Sequence, residues 1–322
     1  MTPATATDRD AVLLLSVLLG DGERPLTLRE WGTVVSAMQR TRASSPAGLL
    51  GQSAADITRV LGLEVAFGEH VARLLDRGAL LAVELERLEN RGIWLLTCVE
   101  DKYPSRLTKR LGLKAPPVLF GSGDRSLVNE GGVAIVGSRD ASEAAAAFAH
   151  ELASSAARTG TCVVSGAARG IDRTAMGSAL STGGTAVGVL AESLVKGARS
   201  ADARAALADG LLVLLTPYGA NARFSVGAAM GRNKLIYCLA DAAVVVATTQ
   251  GTGGTWAGAT EALKAGWTPV WAWTGEGAPG NNEALLDLGA CPLPLAPDTP
   301  SELLKDGLAS RPEETSQATL FD

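Results

Sequence analysis

Three times in this chain an apolar run with strand character stops at a turn rich in glycine and small hydroxyl residues. The first is Val133-Ala134-Ile135-Val136 followed by Gly137-Ser138-Arg139. The second is Cys162-Val163-Val164 followed by Ser165-Gly166-Ala167-Ala168-Arg169-Gly170-Ile171-Asp172, and the third is the run 243–247 leading into Gly251-Thr252-Gly253-Gly254-Thr255. A strand, a tight turn and a helix repeated in this way build a parallel sheet whose strand ends share one edge, where ligands bind. Glycines there let backbone N–H groups approach an anion, the following helix presents its positive end, and arginine adds a charged fork that matches phosphate oxygens. Gly137, Ser138, Arg139, Ser165, Gly166, Arg169, Gly170, Gly253, Gly254 and Thr255 are therefore the candidate anion-binding residues.

The rest of the pattern agrees. Strands are predicted over 93–97, 118–121, 133–136, 161–165, 185–190, 211–215, 243–247 and 270–273, with helices between them that open near Ser142, Asp172, Ser200 or Asp202, and Thr255. The fold class is α/β, a Rossmann-like, doubly wound and mainly parallel sheet. Residues 1–90 carry helical periodicity broken near 20–25, 44–46 and 62, so a small helical domain is expected there, followed by a core over 91–295 and a flexible Pro-, Ser- and acid-rich tail over 296–322.

Composition matters mainly for what it excludes. The apolar run 12–19 follows acidic Asp8 and Asp10, which fits neither a signal peptide nor a membrane span, and a cytoplasmic address is expected. Cys98, Cys162, Cys238 and Cys291 are far apart, with no CxxC and only His70 and His150 beside them, so neither a metal site nor a cofactor is expected. His150 falls on a predicted helix, away from the strand ends, which argues against a catalytic triad. No Gly-Lys dipeptide exists to make a Walker loop, and no GxGxxG stands where a dinucleotide site needs it. The net charge of −5 argues against a protein that coats nucleic acid indiscriminately, yet Arg139, Arg169, Arg173, Arg223, Arg232 and Lys234 all fall in or just after predicted strand-end loops. A focused positive cleft on an acidic body is expected.

Neighbouring residues have plainer roles. Asp172 is read as structural support, orienting Arg169 or Arg139 or capping its helix. Trp267, Trp271 and Trp273 are read as packing, whereas Phe224 and Tyr218, in a long loop between Leu215 and Arg232, are placed for base stacking.

With Lys102-Tyr103-Pro104-Ser105-Arg106-Leu107, Pro116-Pro117-Val118-Leu119-Phe120, Arg232-Asn233-Lys234-Leu235-Ile236 and Gly289-Ala290, these motifs resemble the DNA-processing protein A family (DprA/Smf) over roughly residues 40–295. The resemblance implies a non-enzymatic single-stranded DNA-binding protein that helps load the RecA recombinase during DNA uptake, recombination or repair, commonly as a homodimer. It implies phosphate contacts from Arg232, Asn233 and Lys234, the last replacing an arginine of the family signature, and a sterile-alpha-motif-like module over residues 47–63. Where the family has a histidine after the Gly-Ile-Asp turn this chain has Met176, and a divergent member without the C-terminal winged-helix module is expected. In the tail, Gln317, Leu320 and Phe321 resemble the peptide by which bacterial repair proteins dock on the DNA sliding clamp. The alternative is a nucleotide sensor or hydrolase of the same superfamily, in phage defence for example. The hydrolase signature Gly-Gly-x-Gly-Thr-x-x-Glu fits poorly: Glu261 lies three helical residues, about 4.5 Å, further from Thr255 than that signature requires.

Overall fold

The computed structural model describes residues 7–41 and 45–293, so the tail expectation at Gln317, Leu320 and Phe321 lies outside the described residues. The chain divides into two compact units that meet in sequence at Phe120/Gly121.

The first unit carries helices α1 (Asp8–Ser16), α2 (Leu28–Thr41), α3 (Ala54–Leu61), α4 (Val65–Leu75), α5 (Gly78–Glu89) and α6 (Ser105–Leu111), strand β1 (Trp94–Thr97) and the start of β2 (Val118–Gly123). Local chemistry sets the helix starts. Thr7 and Asp10 exchange the reciprocal bonds of a capping box, and the Ser53 hydroxyl caps α3, which ends at Gly62 in the left-handed conformation. At α2 the Glu30 carboxylate accepts from the Thr27 amide at 2.8 Å and from the Arg24 fork, which holds its carboxyl at about 2. Buried Arg77 satisfies itself on the Leu74 carbonyl and Asp21.

The second unit contains β3 (Val133–Gly137), α7 (Glu143–Arg158), β4 (Val163–Ser165), α8 (Ile171–Ser181), β5 (Ala186–Val189), α9 (Leu194–Ala198), α10 (Ala201–Ala208), β6 (Leu212–Thr216), α11 (Val226–Leu239), β7 (Ala242–Ala247), α12 (Gly253–Ala265), β8 (Val270–Trp273), α13 (Glu283–Leu286) and β9 (Cys291–Leu293). Its strands lie in the order β6-β5-β4-β3-β7-β8-β9, all parallel. From β3 the chain winds outward through β4, β5 and β6, then crosses back to place β7, β8 and β9 on the other side. The winding reverses between β3 and β7. At such a switch point the helices diverge and leave a crevice beyond the strand ends.

Burial follows from this arrangement. Every residue of β7 is buried, as a strand covered on both faces must be. On one face Ala145, Phe148, Ala149 and Leu152 of α7 and Ile171, Ala175 and Ala179 of α8 pack over β3 and β7. Trp273 stacks on Phe148 with ring centroids 4.2 Å apart, a packing role in keeping with the sequence reading. Helices α11 and α12 pack on each other, α11 reaching β4 and β5 and α12 reaching β7 and β8. Three cysteines are buried, and burial pushes the Cys98 and Cys162 thiols up to about 12.

Two elements differ from the sequence reading. Helix α11 begins at Val226, capped by the Ser225 hydroxyl, so the expected loop up to Arg232 is half helix and Arg232 sits inside it. The glycines at 227 and 231 lower helix propensity, but packing against α12 outweighs that deficit. Strand β9 is also new. Pro292 argues against a strand, yet in a three-residue edge strand its missing N–H is tolerated.

Candidate functional site

The crevice at the switch point has a volume of about 360 Å³. Its first rim is the turn that ends β3. Ser138 donates its amide to the Ala247 carbonyl at 2.9 Å, and Ile171 donates its own to the Ser138 carbonyl at 3.3 Å, so the turns after β3 and β4 interlock. Gly170 makes this possible: its φ is +85°, and a Cβ there would collide with the Ser138 and Arg139 carbonyls.

The floor is polar and buried. Arg232 is 4% exposed and donates through Nη1 to the Val189 carbonyl at 2.6 Å. Asp172 lies beside it; burial pushes its carboxyl up to about 6, while Arg232 and the backbone N–H groups of Gly137, Ala168 and Gly166 pull the other way. Burial lowers the Arg232 guanidinium, and Asp172 opposes that shift. Gly166 gives the pair its space, because a Cβ there would overlap Arg232 Nη1 and approach the Asp172 carboxylate. The sequence reading set Asp172 beside Arg169 or Arg139; in the structure the cation that acts on its carboxyl is Arg232. Arg169 pairs instead with Asp140 at 2.7 Å, both highly exposed.

The walls differ in character. One side presents Ser138, Arg139 and, across the gap, Thr248, Thr249, Thr252, Gly253, Gly254 and Thr255 at the start of α12. No side chain caps that helix, so its first amides face the crevice with the positive end of the dipole. Asn233 braces the rim by donating to the Gly254 carbonyl at 2.9 Å. The other side is apolar, formed by Phe224, Val226 and Met230, all exposed. Arg139 bridges the two: its guanidinium lies 5.3 Å from the centre of the Phe224 ring and forms no ion pair among the described residues. With Asp140 of the lining paired to Arg169, Arg139 and Arg232 offset by Asp172 leave roughly one net positive charge, which suits a singly charged phosphodiester.

Gly137, Ser138, Arg139, Asp172, Arg232, Asn233, Gly253, Gly254 and Thr255 therefore line one space. Ser165, Gly166, Arg169, Gly170 and Lys234 do not. Ser165 is buried in the sheet and donates to the Ile135 carbonyl at 2.6 Å, while Gly166 and Gly170 shape the site from behind. Successive helical residues point about 100° apart, so Lys234 leaves the face that Arg232 and Asn233 present. The sequence reading missed Thr248, Thr249, Val226, Met230 and Tyr237. Two threonines directly after an apolar strand were the available signal.

The Ser178 hydroxyl donates to the Thr174 carbonyl at 2.7 Å and meets His150 Nδ1 at 2.8 Å, so its proton is already committed away from the histidine. Among the described residues no group of three or more His, Cys, Asp or Glu side chains comes together as a metal site, and no helix is long and apolar enough to cross a membrane.

The family profile described as DNA recombination-mediator protein A matches residues 94–290. No curated protein matches the chain. Among solved structures, DNA processing protein A (DprA) from Streptococcus pneumoniae is similar at 22% identity, covering 87% of this chain and 95% of that one with a TM-score of 0.68. DNA processing protein A from Helicobacter pylori, whose structure was described for its single-stranded DNA binding mode, is similar at 24% identity over 66% of this chain and 96% of that one, with a TM-score of 0.55. At these identities the likeness to both structures is one of fold.

Proposed function

The chain belongs to the DNA recombination-mediator protein A family, and from that premise we propose that the switch-point crevice holds the backbone of single-stranded DNA. Arg139 carries this reading: an exposed guanidinium, without an ion pair among the described residues, stands between a wall of open amides and hydroxyls and a wall of apolar side chains. Phosphate oxygens suit the first wall and base faces the second. Binding is nearly indifferent to sequence, since backbone contacts carry no base information, and it is salt-sensitive. The protein acts as a binder without catalysis, and the strand it holds is passed to a RecA-type recombinase, with a second copy of the chain aligning two crevices along one strand.

Titration of the purified protein with a thymidine oligonucleotide of some tens of bases and with thymidine monophosphate tests this. The oligonucleotide is expected to bind more tightly by orders of magnitude, because several sites act together. Tight one-to-one binding of the mononucleotide without affinity for the oligonucleotide would replace this reading with a nucleotide sensor.

A further inference from the structure

We propose that Asn282, which does not line the crevice, is the positioning residue that fixes the distance between its two phosphate-presenting rims. The inference rests on the DNA-binding reading for its functional consequence and on geometry alone for its structural one.

Asn282 ends a short 3-10 turn and is completely buried. Its Nδ2 donates to the Val246 carbonyl on β7 and to the Trp273 carbonyl on β8, each at 2.9 Å, and its Oδ1 accepts from the Thr248 amide at 3.0 Å. The register between β7 and β8 runs as far as Val245 and Ala272. The carboxamide thus occupies the place of the next rung and carries the ladder on where the strands part.

Thr248 is the residue this arrangement controls. It is the first residue after β7, it is buried, and it lines the crevice. Its neighbour Ala247 is tied the other way, accepting the Ser138 amide at 2.9 Å. One peptide unit therefore joins the rims, held by Ser138 on one side and by Asn282 on the other. From Thr248 the chain passes through the bridge between Thr249 and Thr252 into the start of α12, so the direction Thr248 takes sets where those amides point.

Only a carboxamide of this length supplies two donors and one acceptor here. Aspartate would turn oxygens toward two carbonyls, and alanine would leave three buried backbone groups without partners. Amides that bind an anion must already point at it, because reorganising them on binding costs affinity.

The test compares the full chain with Asn282→Ala and with Leu152→Ala, a core change on α7 away from the crevice that serves as a control for lost stability. Amide hydrogen exchange in the unliganded proteins and affinity for the same thymidine oligonucleotide are measured at a temperature where all three are folded. Asn282→Ala is expected to speed exchange at residues 248–255 selectively and to weaken oligonucleotide binding at least tenfold, with Leu152→Ala within twofold of the native affinity. Unchanged exchange at 248–255, or equal loss of affinity in both variants, overturns the proposal. Should the native protein not bind the oligonucleotide, the DNA-binding reading fails, and the exchange comparison alone still decides whether Asn282 fixes the rim. If Asn282→Ala does not fold, Asn282→Ser, which keeps one donor, carries the same comparison.

Discussion

Arg232 and Val189 are joined by a hydrogen bond of 2.6 Å from Nη1 to the carbonyl, which ties the middle of α11 to the end of β5 beneath the crevice. Arg139 lines the same crevice, exposed and with no ion pair among the described residues. Two arginines with the same expected role therefore do different work, and substitution separates them. Arg139→Ala is expected to weaken oligonucleotide binding and reduce the salt slope by about 0.7, with stability within about 0.5 kcal/mol of native. Arg232→Ala removes the bond to Val189 and the positive charge that opposes the raised Asp172 carboxyl, and it is expected to destabilise by a few kcal/mol. Chemical denaturation of both variants beside DNA titrations in graded salt checks this. Equal stability of the two would show that Arg232 is not part of the buried floor.

Asp172 gives the fold a pH signature. Its carboxyl is raised from an ordinary 3.8 to about 6, chiefly by burial, so between those values the folded chain binds more protons than the unfolded one. Stability from this group is fully present below about pH 4 and is lost as the pH rises through about 6. The loss is on the order of 2–3 kcal/mol. Asp172→Asn cannot titrate, so the melting temperature of the native protein relative to this variant is expected to fall between pH 4 and pH 7. A relative melting temperature that climbs over that range would mean the carboxyl is depressed by Arg232 rather than raised by burial.

Much of this arrangement was legible before any coordinates. All eight predicted strands are present, because a strand buried in the sheet leaves an apolar run that is read locally. The turn at Gly137-Ser138-Arg139 was legible for the same reason, since its chemistry is written in consecutive residues. Arg232 was not. Its burial depends on the space left by Gly166 and the charge of Asp172, both distant in sequence, so a charged triplet read alone looked exposed. Thr248 and Asn282 escaped notice similarly: the hydrogen bond that gives them meaning spans two loops.

On the proposed DNA-binding reading, Phe224 is the side chain placed to stack on a base. Its ring is exposed on the apolar wall, and the Arg139 guanidinium lies 5.3 Å from its centre, close enough to steady it by a cation–π contact. Stacking of one base on such a ring is worth about 1–3 kcal/mol, so Phe224→Ala is expected to weaken oligonucleotide binding roughly tenfold or more. The diagnostic comparison is with an abasic strand of equal length. Native protein should prefer the strand with bases, and Phe224→Ala should lose most of that preference; a preference that survives intact would place the bases elsewhere.

Gly166 offers the sharpest test of the floor, because its lack of a side chain serves one purpose. A Cβ at this position would overlap Arg232 Nη1, lie 2.8 Å from Arg232 Cζ and 2.5 Å from Asp172 Oδ2. Nothing there requires a left-handed backbone, since Gly166 is absent from the positive-φ glycines, so the cost of Gly166→Ala is steric rather than conformational. The guanidinium would have to leave its place on the Val189 carbonyl, and the positive charge that acts on Asp172 would move with it. Gly166→Ala should therefore destabilise by a few kcal/mol. Arg232→Ala removes two of the three nearest atoms that the new methyl group would strike. The double variant should then be clearly more stable than the sum of the single losses implies, with a coupling on the order of 1 kcal/mol or more. Strict additivity in denaturant melts of the four proteins would mean that Gly166 and Arg232 do not share the floor of the crevice.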